Sequence, residues 1–252
     1  MLLWHYLRVR EGQNFGSSSL TEKFVLLITP LSTTMQKSHS LRWRLAQWLE
    51  IRWWKRYLNP QDKKTYYRNK AQYWHRVLQE LEFQVPTQQQ ILEIGCGPAG
   101  IFIILEGNQL RALDPLLNAY QAKLTHFSKE DYPWVQFENQ ALETASGPAR
   151  PLVFCFNAIN HIADWELGLD QLWRLTAEGG QLVLSSDVHR HHWLKHIFRW
   201  LPGDALHPQQ HSREDYLSAL RKKGWKIKKE CILKKGLIFE YWFVLLEKHT
   251  VT

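Results

Sequence analysis

The chain has 252 residues, of which 44% are hydrophobic and 22% charged, so its composition is ordinary for a folded protein and disorder is not the default expectation. Its 32 Lys and Arg residues exceed its 24 Asp and Glu residues, which permits an anionic partner without selecting one. The cysteines Cys96, Cys155 and Cys231 are too widely spaced for a disulfide framework or a zinc pattern, which favours a reducing, cytoplasmic location.

Residues 1–34 have weak hydrophobic periodicity, and we expect them to be poorly structured or to lie outside a native protein that starts at Met35. Their apolar run, Phe24 to Leu31, is shorter than the roughly 20 residues of a membrane-spanning helix. No small-residue cleavage pattern accompanies this run. The sequence therefore predicts neither a transmembrane helix nor a signal peptide.

Residues 35–85 are interpreted as a helical extension or lid. The first helix, predicted over 41–58, interleaves Trp with Arg and has no clean apolar stripe. Three roles stay open for it: packing with a solvated basic face, a lid over a cleft, or a peripheral anchor on membrane or nucleic acid. The second helix, predicted over 63–82, has an apolar stripe that includes Tyr67 and Trp74 and should pack on a sheet.

Beyond residue 86, short apolar strands alternate with helical stretches, which is typical of a parallel sheet covered by helices on both faces. Strands are predicted at 90–95, 109–113, 134–139, 151–157, 181–187, 225–233 and 238–247. Helices are predicted near 99–105, 116–127, 165–177 and 213–223, with a poorly formed connection at 142–149. Only a few residues join the last two strands, which fits an antiparallel hairpin. We therefore predict an α/β fold over 86–252, a doubly wound, mostly parallel sheet with an antiparallel last strand.

Residues 91–100, ILEIGCGPAG, spell G-x-G-x-x-G directly behind the first predicted strand. This spacing lets a backbone loop approach the pyrophosphate of a dinucleotide, and a related loop binds S-adenosylmethionine (SAM). Asp114 ends the next strand, where a carboxylate accepts hydrogen bonds from a ribose in either class of site. A plain turn, a dinucleotide site and a SAM site all stay open on these residues.

Glu93 before the first glycine and Pro98 after the second extend the loop to a longer pattern, acid-x-Gly-x-Gly-Pro. With the terminal hairpin, these residues make positions 65–248 resemble the class I, seven-stranded SAM-dependent methyltransferases. Ala99 stands where that family has a third glycine, with Gly100 beside it, and either small residue lets the backbone approach the ligand. The resemblance implies SAM as the cofactor, held by Glu93, Gly95, Cys96, Gly97, Asp114, Pro115, Ala141, Leu142 and Asn157.

A sulfonium methyl group is already activated, so its transfer needs alignment, a dry pocket and, for some acceptors, removal of a proton. His161, after the fourth strand, is the candidate base, with a structural role as the alternative. A cap segment is predicted over 187–212. The substrate-side candidates are Asn160, Asp187, His189, Asp204 and His207.

His192 and His196 have the i, i+4 spacing of a zinc site but no accompanying catalytic Glu, so no metal is predicted. The leading hypothesis is methyl transfer to a small-molecule acceptor, aromatic or lipid-like. An RNA methyltransferase is the first alternative, because of the positive charge, although no nucleic-acid module is recognisable. A catalytically silent SAM-binding partner subunit is the second.

Overall fold

The computed structural model describes residues 35–162, 164–189, 211–236 and 239–249. The described residues of Trp54–Thr252 form one compact unit, and those of Met1–Trp53 belong to a second one. The predictions for residues 1–34, and for Asp204 and His207 in the cap, lie outside the described residues. The domain boundary at residue 86 stays a prediction.

Five helices and seven strands are found in the described ranges. The helices are α1 Met35–Leu58, α2 Lys63–Glu80, α3 Leu117–Lys123, α4 Trp165–Leu175 and α5 Arg213–Lys222. The strands are β1 Gln90–Ile94, β2 Gln109–Leu113, β3 Val135–Glu138, β4 Arg150–Phe156, β5 Thr176–His189, β6 Trp225–Lys235 and β7 Phe239–Lys248. None of the helices in these ranges has a segment long and apolar enough to cross a bilayer.

The strands form one sheet in the order β3-β2-β1-β4-β5-β7-β6. Strands β1 to β5 pair in parallel, whereas β7 runs antiparallel to both β5 and β6. The predicted doubly wound sheet with an antiparallel last strand is therefore confirmed. Because the chain order reverses between β1 and β4, the carboxyl ends of these strands border the crevice where ligands of such sheets bind.

Helices cover the sheet on both sides. On one face, α4 and α5 pack their apolar side chains against Val153, Leu182 and Val244 in a fully buried core. On the other face, Trp74 of α2 stacks on Phe156 of β4, with ring centroids 4.8 Å apart and an interplanar angle of 26°. The prediction that the helix over 63–82 packs on the sheet is confirmed.

Several predicted elements differ from the structure: α1 begins at Met35 and not at 41, and α3 ends at Lys123 and not near 127. The helix predicted near 99–105 is a single 3-10 turn, Ile101–Ile104, in which the Leu105 amide donates to the Phe102 carbonyl at 3.2 Å. Three of the four residues of this turn are β-branched isoleucines, which have a low helix propensity and so do not favour a longer helix. Strand β5 begins at Thr176, not at 181, because Thr176 already pairs with Arg150 of β4 across an irregularity in the register.

Candidate functional site

Glu93 is the most deeply buried acid at the carboxyl edge of the sheet, with 1% of its surface exposed. Its two carboxyl oxygens accept backbone hydrogen bonds, from the Ile101 amide at 2.8 Å and the Phe102 amide at 3.0 Å. These are the first amides of the 3-10 turn, which have no partner within the turn itself. Glu93 therefore ties the end of β1 to the turn that follows the glycine loop, defined here as residues 95–100.

The glycine loop has one side that touches protein and one that is open. A Cβ atom on Gly95 would lie 2.3 Å from the Ala158 Cβ, and one on Gly100 would lie 2.2 Å from Oε1 of Glu93. A Cβ atom on Gly97, whose φ is +57°, would meet no atom within 4 Å. The sequence suggested that Gly100 serves a ligand's approach, whereas the structure shows that it makes room for Glu93.

Asp114 follows β2 directly and is 7% exposed. Its Oδ2 accepts from the Gly97 amide at 2.9 Å, and its Oδ1 accepts from the Leu116 amide at 2.8 Å. The acid predicted to hold a ribose thus also orients the second glycine of the loop. Pro115, next in the chain, is half-buried, and Cys96 inside the loop is buried.

Two side chains of α2 contact the glycine loop. The Tyr67 hydroxyl donates to the Pro98 carbonyl at 3.0 Å, and the Trp74 indole N–H donates to the Ala99 carbonyl at 3.2 Å. Sequence reasoning placed both residues on a packing face and missed these bonds. The hydroxyl and indole N–H groups could have predicted such bonds, since buried Tyr and Trp usually find a hydrogen-bond partner.

Asn157 follows β4 directly and has a left-handed backbone, φ +50°, which Asn tolerates better than most residues. Its amide donates to the carbonyl and the hydroxyl oxygen of Ser185, at 3.0 and 3.1 Å. Asn160 is buried and donates from Nδ2 to Oδ1 of Asn157 at 3.2 Å, while its own Oδ1 has no partner among the described residues. These bonds bring Asn157 and Asn160 together beside the glycine loop.

The remaining candidates are spread along the same edge. Ala141 precedes a short 3-10 turn, Leu142–Thr144, and the Leu142 side chain packs into the buried core. His161 is exposed at the end of the turn Ile159–His161. Asp187 is half-buried on β5 beside Tyr241 of β7, and His189 ends β5.

No group of three or more His, Cys, Asp or Glu side chains that could hold a metal occurs within the described ranges.

Burial raises the pKa of Glu93 to about 8, although its two backbone hydrogen bonds favour the charged form. The native protein therefore keeps a proton that the unfolded chain loses near its ordinary carboxyl pKa, so the free energy of unfolding should fall as pH rises from about 4.5 to about 8. Each unit of pKa shift corresponds to about 1.4 kcal/mol, which makes the trend measurable.

Glu93→Gln removes the titrating group and should flatten this part of the profile. Urea unfolding followed between about pH 5 and about pH 8.5 measures the effect, with Glu106→Gln at an exposed turn as the matched control. Identical slopes for Glu93→Gln and the wild type would contradict the assignment.

These residues fit a bound SAM by the chemistry of their donors and acceptors and by the space around them. The open position above Gly97 lets a ligand approach the backbone. The Asp114 carboxylate can accept hydrogen bonds from hydroxyl groups, and the unpartnered oxygen of Asn160 can accept one from an ammonium group.

The family comparison agrees with this geometry. Residues 66–230, more than half of the chain, match the model of a methyltransferase domain. No curated protein sequence matches the chain.

Several solved structures share the fold. The YcgJ protein from Bacillus subtilis is 12% identical with a TM-score of 0.55, covering 71% of this chain and 98% of its own. An N-methyltransferase from Bradyrhizobium japonicum is 12% identical with a TM-score of 0.53, covering 73% and 96%. The geranyl diphosphate C-methyltransferase of Streptomyces coelicolor, solved with Mg²⁺, geranyl diphosphate and S-adenosylhomocysteine, is 13% identical with a TM-score of 0.53, covering 72% and 80%. The chain therefore belongs to the methyltransferase family of class I Rossmann-like fold, whose methyl donor is S-adenosylmethionine.

Proposed function

We propose that this protein transfers the methyl group of SAM to a small-molecule acceptor that is aromatic or lipid-like. The observation that carries the proposal is a row of aromatic rings on the α2 face of the sheet. Ring centroids are 4.8 Å apart for Trp74 and Phe156, 5.7 Å for Phe156 and Phe243, and 4.6 Å for Phe243 and Tyr241. The row begins at the glycine loop, where Trp74 donates to Ala99, and ends at Tyr241 beside Asp187.

This arrangement suits the chemistry of methyl transfer. These packed rings make the surroundings of the site apolar, which favours an apolar acceptor and disfavours water. Asp187 and the Tyr241 hydroxyl supply polar groups at the far end of the row, and the Ser185 hydroxyl donates to the Tyr241 oxygen at 3.3 Å. His161 and Asp187 are the candidate groups that take a proton from the acceptor.

The cofactor side is assigned to the residues carried by the family resemblance. Asp114 would accept from the ribose, the backbone of Gly95 to Gly97 would lie against the amino-acid portion, and Leu142 would border the adenine with its backbone. When bound, SAM supplies an electrophilic methyl group. The chain's own residues orient the acceptor and exclude water, so the reaction depends chiefly on alignment.

Among the described residues, part of the exposed positive charge lies away from the carboxyl edge of the sheet. The exposed lysines Lys226, Lys228 and Lys235 lie on β6, an edge strand that is separated from β4 by β5 and β7. This placement favours a small acceptor over RNA. A cytoplasmic location is part of the proposal, because all three cysteines are free.

Incubation of the full chain with methyl-labelled SAM and separate pools of metabolites and total RNA tests the proposal. We expect label in the small-molecule fraction. Label found only in RNA, with binding that weakens steeply with salt, would support the RNA alternative instead. Binding of S-adenosylhomocysteine without transfer to either pool would contradict an enzymatic role and favour a partner subunit.

Once an acceptor is found, Asp187→Asn and Tyr241→Phe test the acceptor side directly. Each variant should lower kcat/KM for the acceptor by about tenfold or more while leaving S-adenosylhomocysteine affinity unchanged. Asp164→Asn is the matched control, since Asp164 caps α4 through the Leu167 amide and Asn caps a helix equally well. An unchanged kcat/KM in both variants would remove these residues from the acceptor site.

A further inference from the structure

We propose that α2 is a positioning element of the cofactor site, in which Tyr67 and Trp74 hold the glycine loop in its binding shape before SAM arrives. The inference rests on the assignment of the glycine loop as the cofactor site. It gives α2 a role in cofactor affinity, in addition to its packing on the sheet.

The two donors are placed by helix geometry. Tyr67 and Trp74 are seven residues apart, which is two helical turns, so their side chains leave the same face of α2. Trp74 is 6% exposed, and its stacking on Phe156 fixes the direction of its N–H. Burial raises the pKa of Tyr67, so its hydroxyl keeps its proton and donates.

The backbone groups of the loop are held from two sides. On the sheet side, the carboxyl oxygens of Asp114 and Glu93 accept from the amides of Gly97, Ile101 and Phe102. On the helix side, α2 donates to the carbonyls of Pro98 and Ala99. Acids at the ends of β1 and β2 therefore accept from amides of the loop and of the 3-10 turn. Helix α2 donates to two carbonyls at positions between those amides.

Helix α2 is anchored independently of the loop. Lys63 in its first turn pairs with Asp131 at 2.8 Å, and the Gln61 carbonyl just before the helix lies 2.9 Å from Nε2 of His126. An anchored helix keeps its two donors in place whether or not a ligand is present. A loop held this way loses less conformational freedom on binding, which raises affinity.

Tyr67→Phe tests the proposal with little risk to folding, because it removes one hydroxyl and keeps the ring. We expect the dissociation constant for S-adenosylhomocysteine, measured by calorimetry on the full chain, to rise about three- to tenfold. KM for SAM should rise with it while kcat at saturation changes little, since only binding is affected. Hydrogen exchange of the loop amides should become faster in the absence of ligand.

Tyr66→Phe is the matched control. Tyr66 lies next to Tyr67 on α2, is 3% exposed, and its hydroxyl has no partner among the described residues. This variant should leave both the dissociation constant and the exchange of the loop amides unchanged, whatever it does to the melting temperature.

Trp74→Phe is the second variant, because it removes the other donor and keeps an aromatic ring against Phe156. The proposal is overturned if Tyr67→Phe and Trp74→Phe both bind S-adenosylhomocysteine as tightly as the wild type. It is equally overturned if Tyr66→Phe weakens binding as much as Tyr67→Phe. A wild-type protein that does not bind S-adenosylhomocysteine would contradict the cofactor site itself, whereas failure of the acceptor proposal would leave these results unaffected.

Discussion

Gly100→Ala is expected to abolish measurable S-adenosylhomocysteine binding and to lower the free energy of unfolding by at least about 3 kcal/mol. The new Cβ atom would lie 2.2 Å from Oε1 of Glu93 and 2.7 Å from the Cys96 carbonyl oxygen. The Glu93 carboxyl group would have to leave the amides of Ile101 and Phe102, which would then be buried without partners. The Cys96 oxygen belongs to the backbone and moves only if the loop itself changes shape.

Gly107→Ala is the control for this prediction. Gly107 has a φ of +89°, so alanine is strained there, but a Cβ atom would meet nothing within 4 Å. This variant should lose stability by about 1–2 kcal/mol and still bind S-adenosylhomocysteine. Calorimetry and urea unfolding measure both quantities. A Gly100→Ala protein that binds within about threefold of the wild type would show that the loop does not depend on the Glu93 contact.

Asp114→Asn is expected to weaken S-adenosylhomocysteine binding by about tenfold to a hundredfold, because charge-assisted hydrogen bonds are each worth about 1.5–3 kcal/mol. Both carboxylate oxygens accept from backbone amides, Gly97 on one side and Leu116 on the other. Asparagine keeps one acceptor and turns an NH₂ group toward the other amide. The loop then loses a contact, and the ribose loses a charged acceptor.

Asp62→Asn makes the same chemical change at the N-cap of α2, where Asn caps a helix as well as Asp does. This variant should leave the affinity for S-adenosylhomocysteine unchanged. Methylthioadenosine, which has the ribose but not the amino acid, distinguishes the two roles of Asp114. If Asp114 acts on the ribose, both ligands should lose affinity by the same factor. Full retention of affinity for both ligands in Asp114→Asn would refute the assignment.

The sheet was predictable because its strands are short apolar runs bounded by turns. The predicted strand over 109–113 matches β2, and those near β1, β3 and β4 end within one residue of the observed bounds. The beginning of β5 was not predictable, since Ala-Glu-Gly-Gly after Thr176 has the composition of a turn. Pairing of Thr176 with Arg150 on β4 makes this segment a strand, and that pairing exists only in the folded sheet.

The candidate site was predictable to the level of which residues lie near one another. Glu93, Gly97 and Asp114 follow parallel strands, whose carboxyl ends meet at one edge of the sheet. Sequence spacing did not show that the Glu93 carboxylate caps the 3-10 turn, or that Asp114 accepts from the Gly97 amide. Those contacts depend on side-chain directions that are set when the loop packs against its neighbours.

Local sequence thus determined the strands, the glycine loop and the two acids, because hydrophobic alternation and residue spacing act over a few positions along the chain. The tertiary structure alone decided which groups complete the site. Trp74 reaches a carbonyl 25 residues away and Tyr67 one 31 residues away, so no local pattern connects them. Buried backbone groups must be satisfied, and the partner that satisfies each one is whichever donor the packing of α2 on the sheet brings within reach.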